Sequence, residues 1–228
     1  MSIIAAGIPS LEEHPERFTP EALAAVLPEN LVADAIAICG VRDGLRRKLP
    51  VQLTAWLVIL LGLYRDRSYV NLIQMVATAS SWRGLWGRAT PPTSSAFSRA
   101  RDRVGVPAMQ RIYELSAAKW IEESEGTIFH GYRLTAIDGT CAKVPDTPKN
   151  EAFFGRPPAS RGRSGYPQLR LVGLMDVGTR LQRAARFGPY GQAEITLARD
   201  LLPELPAGLL VVMDRHFHSY DFLWDCLL

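Results

Sequence analysis

The spacing of apolar and polar positions changes period once along the chain. Up to about residue 126, apolar residues recur at helical spacing between capping and breaking residues. Thr19-Pro20-Glu21 offers a cap, a proline at the first helical position and an early acid, so a helix is predicted there. Pro28 interrupts it. Asn30 can cap a second helix running to Cys39, which Gly40 ends. Pro50 opens an apolar helix through Tyr64, with Trp56 a core residue, and Ser68 caps another from Tyr69 to Ala79. A Trp/Gly-rich turn, Ser81 to Gly87, and the loop Thr90-Pro91-Pro92-Thr93-Ser94 lead into a helix from Ser95 to Val104. Gly105 and Pro107 separate that helix from a further one ending near Glu125. Residues 1–18 read as a loose leader.

From Thr127 onward strand-like runs dominate: Tyr132–Ile137, Gln168–Asp176, Arg180–Phe187 and Leu209–Met213. Asp176-Val177-Gly178-Thr179 reads as a hairpin turn between the second and third. A helix from Ala193 to Leu205 precedes the fourth strand, and another begins near Ser219. Three early strands can pair antiparallel, with the fourth parallel to the first through the helical crossover. The expected fold is therefore α/β, with a helical domain at 19–126 and a mixed sheet with flanking helices at 127–228.

Two of the strand runs close on an acid. Tyr132-Arg133-Leu134-Thr135-Ala136-Ile137 leads to Asp138, and Leu209-Leu210-Val211-Val212-Met213 leads to Asp214. Acids at the ends of buried strands lie at a sheet edge, where ligands are commonly held. The strand order expected above sets these two side by side at the same end. A divalent metal shared by such carboxylates is one way to cut a phosphodiester bond. Arg215 follows Asp214 directly and can touch phosphate or lower the pKa of that acid; a plain surface charge is the competing reading. Cys141, near Asp138, reads as a small buried thiol, because no partnered base is visible.

The net charge of +3 conceals an asymmetry. Residues 1–40 hold one basic and six acidic side chains, whereas residues 41–111 hold twelve basic and three acidic ones. Arginine makes up 22 of the 26 basic residues, and its forked guanidinium suits phosphate and base edges. A GC-rich genome raises arginine and alanine together, but does not concentrate arginine in one segment. Arg99 and Arg103, four apart on one helix, fit a helix-turn-helix-like DNA reader; a solvated basic face on a plain bundle is the competing reading. The loop between the first two strands adds Arg156, Arg161 and Arg163 among aromatic residues, a composition suited to contact with a DNA strand. A disordered insertion is the other reading of that loop. Lys143, near Asp138 in sequence, is a candidate contact for the cleaved strand.

Three cysteines, odd in number and far apart, argue against a disulfide framework and a cysteine-rich zinc site. The apolar stretch Val51 to Tyr64 is too short to span a bilayer, so no membrane partner is expected. No secretory signal is legible at the N-terminus, and a cytoplasmic location follows by default.

Several segments together carry a family resemblance. Ile137-Asp138-Gly139-Thr140, Val144-Pro145-Asp146-Thr147-Pro148-Lys149-Asn150 and Gly165-Tyr166-Pro167-Gln168-Leu169-Arg170-Leu171 resemble DDE transposases of the insertion-sequence-four group. So do Phe187-Gly188-Pro189-Tyr190 with Glu194, and Met213-Asp214-Arg215-His216-Phe217. The resemblance runs from about residue 20 to 228. It implies a helical N-terminal DNA-binding domain, then an RNase H-like catalytic core. It further implies a recombinase, dependent on Mg2+ or Mn2+, that cleaves double-stranded DNA at element ends and transfers strands to a target. A homodimer in a synaptic complex and a nucleoid-associated location are also implied. Asp138 and Asp214 match the first and second catalytic acids. In such enzymes the third is a glutamate on a later helix beside a Tyr/Arg/Glu/Lys signature. No glutamate follows Glu204 here, so the core is expected to be incomplete and strand transfer impaired.

Glu194 can be recruited as a third ligand, but its place at a helix start fits a partner for the helix dipole better. Two other readings compete. One is a metal-dependent hydrolase using Asp214, His216 and His218, which alternate along an extended backbone. The other is a non-catalytic DNA-binding remnant built on the basic helical half.

Overall fold

The computed structural model describes residues 23–24, 26–43, 49–64, 67–78, 92–159 and 165–226. The predicted leader, the helix start at Thr19-Pro20-Glu21 and the turn from Ser81 to Gly87 lie outside these residues. So do Arg161 and Arg163. The chain divides into two units, Met1–Ser116 and Ala117–Leu228.

In the first unit, helix α1 spans Glu29–Ile38. It starts at Pro28 rather than Asn30: Pro28 is the extended N-cap, and Glu29 places an acid in the first turn, where the helix dipole favours it. Gly40 ends it at φ 68°, a left-handed conformation that glycine adopts without steric cost. Helix α2, Val51–Leu63, is apolar all round and correspondingly buried, with Leu53, Trp56, Leu57 and Leu60 fully enclosed. Its first N–H, on Val51, is taken by both carboxylate oxygens of Asp43, at 2.9 and 3.0 Å. Helix α3 is Tyr69–Thr78, and Ser68 caps it through the Asn71 N–H. Helix α4 runs from Ser94 to Glu122 and is interrupted at Gly105 (φ 72°, ψ 166°), with Pro107 just beyond. It is two helical segments, divided where the sequence places the break.

The second unit begins within the α4 run, earlier than the change of period at Thr127. Arg133 accounts for this. Its guanidinium donates to the Ile121 carbonyl at 3.1 Å and the Ser124 hydroxyl at 2.9 Å, and pairs with buried Asp176. The end of the helix is thereby fastened to the sheet.

Strand β1 (Ile128–Phe129) pairs antiparallel with the start of β2 (Tyr132–Lys143). Strand β3 (Gln168–Asp176) pairs antiparallel with β2, and β4 (Gln182–Pro189) antiparallel with β3. Strand β5 (Leu209–Met213) lies parallel to β2, from Arg133↔Leu209 to Ile137↔Met213. This is the expected mixed sheet. Three details differ from the sequence reading. β2 does not stop at Ile137 but continues to Lys143, because β3 pairs with it over the whole length, down to Lys143↔Gln168. The loop after it holds a helix, α5 (Pro148–Phe154), started by Thr147, which accepts the Asn150 N–H, and by proline at the first turn. The helix predicted from Ala193 to Leu205 is shorter: α6 covers Glu194–Arg199, and a 3-10 turn, Leu202–Glu204, follows with Pro203 inside. A second 3-10 turn, Arg215–Phe217, and helix α7 (Tyr220–Asp225), capped by Ser219, follow β5.

The core of this unit lies on one face of the sheet. Ile137, Val172, Leu174 and Ala184 pack against Leu197, Ala198, Leu201, Phe217 and Phe222. Strand β5 shows the period of two that makes this face. Leu209, Val211 and Met213 join the cluster, while Leu210 and Val212 are 37% and 52% exposed. No described helix is long and apolar enough to cross a membrane.

Candidate functional site

The parallel register of β2 and β5 sets the geometry. Its last pair is Ile137↔Met213, and Asp138 and Asp214 are the next residues on the two chains. Ile137 and Met213 belong to the core face. A one-residue step along a strand reverses the face, so both acids turn the other way. Both are exposed. Asp138 is not at the end of its strand. It stands where β2 loses its β5 neighbour and keeps only β3, opposite Gly173.

Each carboxylate accepts a backbone N–H just past itself. Asp138 Oδ1 accepts the Gly139 N–H at 2.8 Å. Asp214 caps the 3-10 turn: its Oδ1 accepts the His216 N–H at 2.7 Å, and its Oδ2 lies 2.9 Å from His216 Nδ1. The His216 ring and then the His216 N–H hold the Asp214 pKa below the ordinary carboxylate value. Arg215, one of the candidates for that effect, is exposed and is not among its causes.

The chemistry of the donor set fits a hard divalent cation: two accessible carboxylates, each one residue past the same register pair. Among the described residues no three Asp, Glu, His or Cys side chains are grouped to hold a metal ion. Asp214, His216 and His218 therefore do not form the ligand set of the hydrolase reading, and Glu194 does not complete a three-acid cluster. Its carboxylate is engaged by Arg170, Nη1 to Oε1 at 2.6 Å, in the first turn of α6.

The other candidate residues separate. Arg99 is exposed on the first segment of α4. Arg103 is partly buried, and its Nη2 donates to the Leu49 carbonyl at 2.9 Å, so the two arginines do not present a common solvent face. The Arg156 side chain is only 9% exposed and pairs with Asp146 and Glu151, fixing the ends of α5. Lys143 lies 5.9 Å from the ring centre of Tyr166, and both residues are exposed. Cys141 is exposed, not buried as expected, because β2 continues past Asp138 as a strand without a β5 partner.

The sequence reading also missed Asp176 and Gly139. Asp176 is fully buried at the β3–β4 hairpin, bound by Arg133 and by the Thr179 N–H and hydroxyl at 2.8 and 2.9 Å. Gly139 lies under Glu194, a contact between residues far apart in sequence that no local pattern signals.

Residues 18–114 match the family described as insertion element 4 transposase N-terminal, and residues 129–227 match the transposase DDE domain. The chain is similar to transposase InsG for insertion sequence element IS4 of Escherichia coli, with 28% identity over 197 residues. That match covers 86% of this chain and 43% of the relative. It is also similar to the putative transposase InsZ of the same organism, with 29% identity over 215 residues, 92% of this chain and 69% of the relative. The chain thus spans less than half the length of one relative and about two thirds of the other. No solved structure matches it.

Proposed function

We propose a function from one premise: the chain belongs to the insertion element 4 family of DDE transposases, whose DDE domain has an RNase H-like fold. The proposed activity is metal-dependent cleavage and strand transfer at the ends of a mobile DNA element, with Asp138 and Asp214 as catalytic metal ligands. One observation carries this reading: the two acids directly follow the last parallel pair, Ile137↔Met213, whose own side chains belong to the core face.

Bound there, Mg2+ or Mn2+ supplies Lewis-acid polarisation of the phosphate and a more acidic water nucleophile. The residues of the chain prepare that site. His216 engages both oxygens of Asp214, Oδ1 through its N–H and Oδ2 through its ring, so ligation by Asp214 displaces one of these contacts. Asp138 offers its second oxygen directly and its first on releasing the Gly139 N–H. Arg215 and Arg99, both exposed, are the proposed phosphate contacts on double-stranded DNA. Arg103 and Arg156 support the fold instead, through Leu49 and through Asp146 and Glu151. Arg161 and Arg163 complete the proposed DNA contacts.

Two carboxylates supply few of the oxygens that a divalent ion takes. We therefore propose that these 228 residues alone transfer strands poorly, and that a homodimer at the nucleoid is the assembly that engages two element ends. The test uses a duplex carrying the inverted repeats that flank the gene, with Mn2+ present. Salt-dependent binding with no cleavage above the Asp138→Ala background is expected. Robust cleavage that Asp138→Ala abolishes would overturn the proposed impairment. No binding at low salt would overturn the DNA reading itself.

A further inference from the structure

We propose that Glu194, clamped by Arg170 over Gly139, is a positioning residue that fixes the segment of β2 carrying Asp138. The proposal rests on the reading of Asp138 as a metal ligand.

The need for such a device follows from the sheet. Up to Ile137, β2 is bonded on both sides, to β3 and to β5. From Asp138 to Lys143 it is bonded to β3 alone. A strand held on one side twists and frays more readily than one held on both. The ligand therefore stands at the first position where lateral support is halved.

Glu194 supplies support at the next residue. A Cβ added to Gly139 would lie 2.5 Å from Glu194 Cδ, 2.7 Å from Oε2 and 2.9 Å from Cγ. The Gly139 backbone is not in the left-handed region, so the glycine answers a need for space and not for an unusual φ. The carboxylate that fills the space is fixed independently. Its Oε1 accepts Arg170 Nη1 at 2.6 Å, and Arg170 lies on β3 opposite Cys141, two residues beyond Gly139. Arg170 is itself oriented twice: Nε donates to the Tyr190 carbonyl at 3.1 Å, and the guanidinium stands 5.3 Å from the Tyr190 ring centre. Helix α6, strand β3 and the end of β4 thus converge on one glycine adjacent to Asp138. Glu194 approaches on the core side, where α6 packs, while Asp138 projects from the opposite face. It acts through the backbone and not as a ligand.

Mn2+ titration of the 228-residue protein, followed by paramagnetic broadening of amide signals, tests this. The amides of residues 139 and 216 flank the two acids and report the midpoint of the ion they share. Glu194→Ala and Gly139→Ala are each expected to weaken the midpoint at residue 139 by about tenfold, the lower end of the effect of outer-shell residues on metal sites. The double variant is expected to match Glu194→Ala alone, because removing the carboxylate removes the clash. Glu194→Gln, which keeps the shape and loses the charge, is expected to retain the melting temperature and still weaken residue 139 severalfold. A wild-type midpoint in Glu194→Ala or Glu194→Gln overturns the proposal. So does a Glu194→Gln variant whose weakened midpoint comes with a lowered melting temperature, the signature of a merely structural role. If the wild type shows no broadening at residue 139, the reading of Asp138 as a ligand fails, and the proposal fails with it.

Discussion

One face of the sheet is closed by α6, the turn at Arg215–Phe217 and α7, and it holds every strand residue of the core cluster. The other carries Asp138, Asp214 and the exposed apolar side chains of Val212, Leu210 and Phe187. The same strands make both. Ile137 and Asp138 are consecutive, as are Met213 and Asp214, so stability and proposed chemistry are separated by a single residue step. The comparison teaches that the acids are placed by core residues, to which only Asp214 gives anything back, as the cap of the turn that carries Phe217. Substitution on the two faces should therefore have opposite signatures, large in stability on one and large in metal binding on the other.

The hardest test of this division is Phe217→Ala. Phe217 is fully buried in the core, and its loss should cost about 3–5 kcal/mol in urea unfolding of the second unit. A loss below about 1 kcal/mol would mean that the covered face does not hold the fold. Next is Asp176→Ala, which takes from the Arg133 guanidinium its carboxylate partner and should cost roughly 3 kcal/mol. This pair also predicts a pH dependence. Burial pushes the Asp176 carboxyl up, but the Thr179 N–H, Arg133 and the Thr179 hydroxyl outweigh it, leaving its pKa below the ordinary 3.8. A depressed folded pKa stabilises the fold above the unfolded value, so this contribution should be complete above pH 3.8 and fade as pH falls through the lower folded value. In Asp176→Ala that part of the acid dependence should vanish. On the bare face, Val212→Thr should change stability by no more than about 0.5 kcal/mol. Asp138→Asn should leave the melting temperature unchanged while abolishing Mn2+ binding. A clear drop in melting temperature would show that this face carries structural load.

Much of this arrangement is legible in the sequence because two apolar runs end on acids and a helix separates them. Crossover handedness and strand twist leave few ways to pair such runs, and the parallel β2–β5 ladder is the expected one. The parts that are not legible depend on partners remote in the chain. Gly139 and Thr140 look like turn residues in isolation, yet β3 draws them into a strand, since strand formation follows cross-strand pairing more than local preference. Helix α5 had its signal in Thr147-Pro148, overshadowed by the prolines and glycines that follow. The arginines of the sequence reading divided for the same reason. A guanidinium reads identically in sequence whether it meets phosphate or, as at Arg103, a carbonyl from a distant connector.

The Ile137↔Met213 pairing also sets what the gene can tolerate. The two acids are matched by strand register and not by the length of chain between them. An inserted codon in the exposed turn at Pro206–Gly208 should leave both facing the same way, because a connector absorbs an extra residue at small entropic cost. The same codon inserted within Leu209–Met213 would turn Asp214 toward the core or expel Met213 from it. In any set of drifting copies of this gene, length changes should therefore collect in the connectors and be purged from these five strand positions.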